Sequence, residues 1–405
     1  MRMKRSGTAD LALWGGGIPS WLFDRMKLLT LPVVESIVLH YGRAHFLSRL
    51  SDPFWFQSFG AVIGMDWNSS GVTTAVMRAL KQSINPASHE LGLYIAGGKG
   101  KASKDTPREL LRIGDKTGLD GDHFGRCSKL AAKVDNTAVQ DGFQLYLHSF
   151  VLSADGDWTV IQQGMDGATG LARRYHWNSE RVKSFVEEPH AAVCGDNQGQ
   201  ILNLVAKDAG ATQQAILDIS QEKPAKLLGE IPRMQLPTYC DLKARDVDLK
   251  RLGSILWLAQ ETETTKFEDL LLLKGLGPRT LQSLTLVSEV IHGTPSRFSD
   301  PARFAFAHGG KNSRPFPVPT KVYDETINVL RDSVERARIG DKDKSAAVAK
   351  LTKIAQAAEA GFTVKEPDFQ GLLDEENRES HKYGGRRLEG FVKPPKEDEG
   401  QLRLF

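Results

Sequence analysis

Residues Phe267 to Ile291 read FEDLLLLKGLGPRTLQSLTLVSEVI. The spacing predicts a short helix, a turn over Lys274-Gly275-Leu276-Gly277-Pro278, and a second amphipathic helix. Leu270, Leu271, Leu276, Leu281 and Leu284 supply the apolar faces. The two glycines permit a tight hairpin, which leaves backbone N–H groups at the start of the second helix facing outward as an anion site. Arg279, in the first turn of that helix, adds a charge-assisted contact to the same anion. An ordinary helical hairpin would use the same leucines for its core, and that alternative stays open. If the anion is a DNA phosphate, the contacting residues are Lys274, Gly275, Gly277, Arg279 and Thr280, and such contacts give affinity with weak sequence preference.

Outward from this hairpin, helical patterns dominate the second half of the chain: Ile201 to Lys207, Ala211 to Ser220, Leu249 to Gln260 and Thr320 to Arg338. Pro224, Pro232 and Pro237 punctuate the crossover from the first half, which places a boundary near residues 220 to 240. In the first half, Pro19 to Leu50 predicts two short helices interrupted at Pro32. Val72 to Lys81 predicts a helix after a turn at Asn68-Ser69-Ser70-Gly71. Glu90 to Ala96 and Trp158 to Gln163 predict strands, and Lys129 to Val151 a long helix. The expected fold class is α+β: a mixed α/β domain over 1–225, a mainly helical domain over 240–383, and a flexible tail over 384–405.

The chain has 405 residues, which leaves room for two or three domains and excludes a single small module. With 40% hydrophobic and 25% charged residues, a packed core is expected and general disorder is excluded. The formal charge of +3 is too small for a wholly polybasic protein, so a nucleic-acid surface has to be a local patch. Cys127, Cys194 and Cys240 lie far apart without metal-binding spacing, which fits a reducing compartment. No apolar run approaches the length of a membrane span, and the start lacks a long apolar segment. The expectation is a cytoplasmic protein with no membrane association, and homo-oligomerisation is left open.

Acids and histidines concentrate between residues 120 and 148. Asp120, Asp122 and His123 share one turn. On the expected Lys129 to Val151 helix, Asp141, Gln144 and His148 would share a face. Asp and His together suit Mn²⁺, and Asp alone suits Mg²⁺. Such ions activate water and neutralise phosphoryl oxygens in phosphodiester hydrolysis. The candidate metal ligands are Asp66, His123, Asp135, Asp141 and His148, and the candidate catalytic residues are Lys133, Asp135, Asp141 and His148. Each also has a plain structural use: Asp120 and Asp122 as loop acids, Asp135 as a helix cap, His148 as a satisfied core histidine. Gln162-Gln163 and Arg173-Arg174-Tyr175-His176-Trp177 could line the same cleft. Lys99, Lys101, Lys104 and Arg108 surround a Gly-rich loop that lacks the P-loop pattern, so ATP use is not supported.

The hairpin resembles the helix-hairpin-helix of DNA repair proteins, including the DNA glycosylase superfamily. Glycosylases of that kind carry a catalytic Asp in a Val-Asp-Thr-His-Val segment. Here Arg314-Pro315-Phe316-Pro317-Val318-Pro319-Thr320-Lys321-Val322 looks similar but has Pro319 at the acid's place, which argues against base excision by that route. The terminal Gln401-Leu402-Arg403-Leu404-Phe405 resembles the motif by which bacterial repair proteins bind the β sliding clamp, with Gln401 at the pocket rim and Leu402, Leu404 and Phe405 inside it. Over most of its length the chain resembles a prokaryotic family of unknown function, through Lys4 to Leu11, Trp21-Leu22-Phe23, Ala132 to Asn136, Gln140 to Tyr146, Gln162 to Met165 and Ala172 to Trp177. The family label names no activity and implies a shared architecture only. The acidic and His group, the hairpin and the tail together lead to the expectation of a divalent-metal-dependent DNA nuclease with Mg²⁺ or Mn²⁺, or alternatively a non-catalytic DNA repair adaptor recruited to the clamp.

Overall fold

The computed structural model describes residues 20–65, 71–167, 169, 171–235, 237, 247–302, 320–337, 340–360, 386–387 and 390–391. In chain order the first half comprises α1 (Ser20–Tyr41), α2 (Arg43–Leu50), α3 (Pro53–Ile63), α4 (Gly71–Ile84), α5 (Ser88–Leu91), β1 (Leu93–Lys99), α6 (Lys101–Thr117) and α7 (Gly121–Lys133). A π-helical turn, Val134–Ala138, leads to β2 (Val139–Gln140), β3 (Gln144–Ser153), β4 (Trp158–Met165), β5 (Ala172–Asn178), β6 (Ala192–Cys194) and β7 (Gln200–Asn203). Then follow α8 (Gly210–Gln221), α9 (Pro224–Glu230), α10 (Leu249–Glu261), α11 (Phe267–Leu272), α12 (Pro278–His292), β8 (Phe298–Ser299), α13 (Thr320–Arg336) and α14 (Asp341–Ala360). The fold is α+β, as the sequence predicts.

At the centre lies an antiparallel sheet in the order β1-β3-β4-β5-β6. Period-two alternation sends neighbouring residues to opposite faces. One face carries Phe150, Leu152, Trp158, Val160, Tyr175 and Trp177, which share a core with Phe124 of α7 and with Leu252, Leu270 and Leu284 of the later helices. The other face carries Ile95, Val151 and Ile161, packed with α1 to α4 and with Leu330, Val334, Ala347 and Leu351 of α13 and α14. The first core thus continues across residues 220–240 into the α10–α12 helices, and β8 pairs with β7 through Ile201 and Phe298.

Three local expectations are corrected. Pro32 does not break the first segment: α1 runs through it, and Leu28, whose carbonyl loses its partner, is exposed so that water can take that place. The long helix over Lys129 to Val151 is a helix, a π-turn and two strands, because FQLYLHSFVLS from Phe143 alternates on a two-residue period and Gly142, at φ +85°, turns the chain before it. Consequently Asp141, Gln144 and His148 share no helix face. Ile201 to Lys207 begins as strand β7, whose Leu202 and Asn203 pair with β2.

Candidate functional site

The hairpin between α11 and α12 is anchored through its carbonyl oxygens by residues of α7, β2 and α10. Lys133 Nζ donates to Leu276 O at 2.5 Å, Gln140 Nε2 to Pro278 O at 2.8 Å, and Arg251 Nε to Gly275 O at 3.3 Å. Gly275 stands at φ +93°, a conformation a side chain would strain. With those carbonyls turned inward, the first-turn amides of α12 have no acceptor within the helix. A Cβ added at Gly277 would meet nothing within 4 Å, so the space above the loop is open. Lys274, Gly275 and Arg279 are exposed and Gly277 half-buried, whereas Thr280 is buried and presents no side chain outward.

Lys133, Arg251, Lys274 and Arg279 surround this loop, and among the described residues none of them forms an ion pair with a carboxylate. Burial pushes the Lys133 ammonium below the ordinary lysine value, and the neighbouring Arg251 pushes it further down. Lys133, expected among the catalytic residues, therefore belongs to the rim of the hairpin.

Of the five expected metal ligands, Asp66 lies outside the described residues, and the other four do not converge on one point. Asp141 Oδ2 accepts from Arg173 Nη1 at 2.9 Å and from the Tyr175 hydroxyl at 2.7 Å, while its Oδ1 accepts from the Phe143 amide at 3.1 Å. Arg173 also forks onto Asp300, at 3.0 and 2.9 Å. Burial raises the Asp141 carboxyl above its usual range, and Arg173 and Tyr175 oppose that rise. His123 is exposed, its ring 3.6 Å from Cys127 Sγ. Among the described residues no group of three or more His, Cys, Asp or Glu could hold a metal ion. The donor set expected for Mg²⁺ or Mn²⁺ is not assembled by them.

Asp135 and His148 instead belong to one hydrogen-bonded chain beneath the π-turn. Ser128 Oγ meets His148 Nε2 at 2.8 Å, and His148 Nδ1 meets Gln162 Oε1 at 2.7 Å. Gln162 Nε2 donates to Asp135 Oδ2 at 2.5 Å and to Ala131 O at 3.2 Å. Asp135 Oδ2 also accepts from Trp177 Nε1 at 2.9 Å, and its Oδ1 meets His190 Nε2 at 2.5 Å. The register that sets His148 opposite Gln162 puts both on one sheet face, and that is what assembles the chain. Burial raises the Asp135 carboxyl, with His190 and Trp177 opposing, and lowers His148 to about 4. Gln163 and the neighbouring Arg174 and His176 fall on the opposite face, where Arg174 donates to His176, Gln57 and Thr73.

Sequence reasoning passed over His190, Arg251 and Asp300. His190 follows Glu187-Glu188-Pro189 in no recognisable motif, and Asp300 reaches Arg173 across 127 residues, a pairing no local pattern signals.

A family described as protein of unknown function (DUF763) matches residues 7–318. The chain belongs to that family. No curated protein matches it, and no solved structure does. The stretches Ala132 to Asn136, Gln140 to Tyr146, Gln162 to Met165 and Ala172 to Trp177, which suggested such a family, supply Asp135, Asp141, Gln162, Arg173, Tyr175 and Trp177 of the two buried networks.

Proposed function

We propose that this DUF763 protein is a DNA-binding protein of repair or processing that docks on the phosphate backbone through the α11–α12 hairpin. The observation that carries the reading is the inward anchoring of the loop carbonyls by Lys133, Gln140 and Arg251, with four cations around the loop and no described carboxylate paired to them. A phosphate above Gly277 would meet the free amides of α12 and the Arg279 and Lys274 side chains. Such contacts position the duplex without reading its bases. The adaptor reading fits this geometry directly. The metal-dependent nuclease reading needs Mg²⁺ or Mn²⁺ donors that the described residues do not bring together.

The test is a fluorescence anisotropy titration of labelled DNA of two unrelated sequences with the wild type and with Lys274→Glu/Arg279→Glu. Equal affinity for both sequences, lost in the double variant, supports docking; unchanged affinity in a folded double variant removes it. Recruitment to a β sliding clamp through Gln401, Leu402, Leu404 and Phe405 is part of the same proposal. Those residues lie outside the described ones, and deletion of 401–405 is expected to abolish clamp association in calorimetry while sparing DNA binding.

A further inference from the structure

The buried chain that runs from Ser128 to His190 has a fixed direction. Gln162 has two oxygen acceptors beside one end of its amide, Asp135 Oδ2 and Ala131 O, so the NH₂ group must stand there. Its carbonyl oxygen then faces His148, whose Nδ1 has to carry the proton. His148 Nε2 is left as an acceptor for the Ser128 hydroxyl. At the other end, with Asp135 ionised, its Oδ1 accepts a hydrogen bond from His190 Nε2–H. With that carboxylate ionised, the result at the end of the chain is a histidine with Nε2 protonated and Nδ1 carrying a lone pair.

His190 is the member of this chain that approaches the surface. Its side chain is 6% exposed while that of Asp135 is fully buried. Its Nδ1 has no hydrogen-bond partner among the described residues, yet it is not among the buried polar atoms lacking one. The ring is held by an edge contact with Trp177, centroids 4.7 Å apart, and by Tyr175 at 6.1 Å. Two residues earlier, Glu188 adopts φ +40°, an uncommon conformation for a non-glycine residue, fixed by its amide donating to Val205 O at 2.7 Å. Asp135 sits in the π-turn that ends α7, and such turns concentrate at functional sites. Asp135 is two residues from Lys133, which holds the hairpin loop, so the acid's Cα lies at most about 8 Å from that of a residue on the loop's rim.

We propose that Asp135 and His190 form an acid–base dyad that hydrolyses a phosphodiester bond in a DNA strand docked on the hairpin, with His190 Nδ1 as the base. This rests on the docking reading above. In the step, Nδ1 takes a proton from a water molecule whose oxygen forms the new bond to phosphorus. The bond between phosphorus and one deoxyribose oxygen breaks, and the leaving oxygen takes a proton, the one now on His190 or one from solvent. The products are a phosphomonoester and a hydroxyl, with no change of oxidation state. His190 is the catalytic residue, and Asp135 is a positioning residue that acts through it.

The experiment uses the full chain with supercoiled plasmid and labelled single-stranded DNA, in Mg²⁺, in Mn²⁺ and in EDTA. Wild type is expected to cut; His190→Asn is expected to lose at least about 100-fold in rate with DNA affinity unchanged, and added imidazole to restore part of it. No cutting by a wild type that binds DNA, or cutting by His190→Asn at the wild-type rate, overturns the proposal. A second measurement needs no DNA: ¹⁵N spectra of the histidine side chains should place the His190 proton on Nε2 in the wild type and shift that tautomer in Asp135→Asn. A wild-type Nδ1–H tautomer overturns the dyad even where docking stands. Absence of DNA binding, with the Nε2–H tautomer intact, overturns the docking reading and with it the phosphodiester substrate.

Discussion

Arg173 and Lys133 are both drawn out of water, and their surroundings differ in sign. Arg173 is enclosed between Asp141 and Asp300, which hold its guanidinium above its already high ordinary value against the cost of burial. Lys133 has a carbonyl oxygen for a partner and an arginine for a neighbour, and its pKa moves down. The first arrangement is a fastening: it ties Asp300, just beyond β8, to β5 through both terminal nitrogens of the guanidinium. The second leaves positive charge uncancelled beside the first-turn amides of α12, and that is the feature on which the docking proposal rests. A count of basic residues along the chain would rank the two alike.

The largest expected effect lies on the fastened side. Arg173→Met leaves Asp141 and Asp300 buried beside each other without their cation, and should cost about 3–5 kcal/mol in a urea titration. A loss below about 1 kcal/mol would show that the cluster does not hold the β8 end to the sheet.

Next comes the acid limb of the buried chain. His148 is neutral in the fold, held down to about 4, while in the unfolded chain it has its ordinary value near 6.5. Only the unfolded state gains this proton between those values, so the contribution is complete above about pH 6.5 and is lost as pH falls towards 4. The loss is about 3 kcal/mol from this group. His148→Gln should flatten that part of the stability profile; an unchanged slope would mean that His148 does not set it.

Gly275→Val introduces a branched side chain at φ +93° and should cost about 1–3 kcal/mol along with a fall in DNA affinity. Gly277→Ala should leave stability nearly untouched, since the added Cβ meets open space, and lower affinity by crowding a bound phosphate. Equal effects at the two glycines on both readouts would break the distinction between a turn-forming and a space-giving glycine. The smallest stability change is expected at Lys133→Met. It removes a half-buried cation that no acid compensates but also takes the donor from the Leu276 carbonyl, so the two effects oppose and the urea midpoint should move little while DNA affinity falls. A clear loss of stability would make Lys133 a fastening like Arg173.

Three elements are legible because their signals are local. The leucine spacing, the Lys274 to Pro278 turn and the WTVIQQ alternation give α11, α12 and β4 nearly to the residue. The Asp135 to His148 region is not legible in the same way, because acids and histidines at three- and four-residue steps mimic a helix face, while the competing two-residue alternation of Phe143 to Ser153 decides the backbone. Asp135 and His148 do end in one site, but through Gln162 of a neighbouring strand, so cross-strand register and not sequence spacing joins them. Asp141 was separated from them by Arg173, which lies two strands over in the sheet and recruits an acid from beyond the hairpin.

The most direct measurement of the central claim is the salt dependence of DNA binding by the full chain, compared with Lys274→Glu/Arg279→Glu. Four cations at the docking loop, each displacing a counterion, give an expected slope of log Kobs against log salt of roughly −3 to −4 on duplex DNA, reduced by about two in the double variant. A slope near zero, or one that the double variant leaves unchanged while remaining folded, would contradict docking through the hairpin.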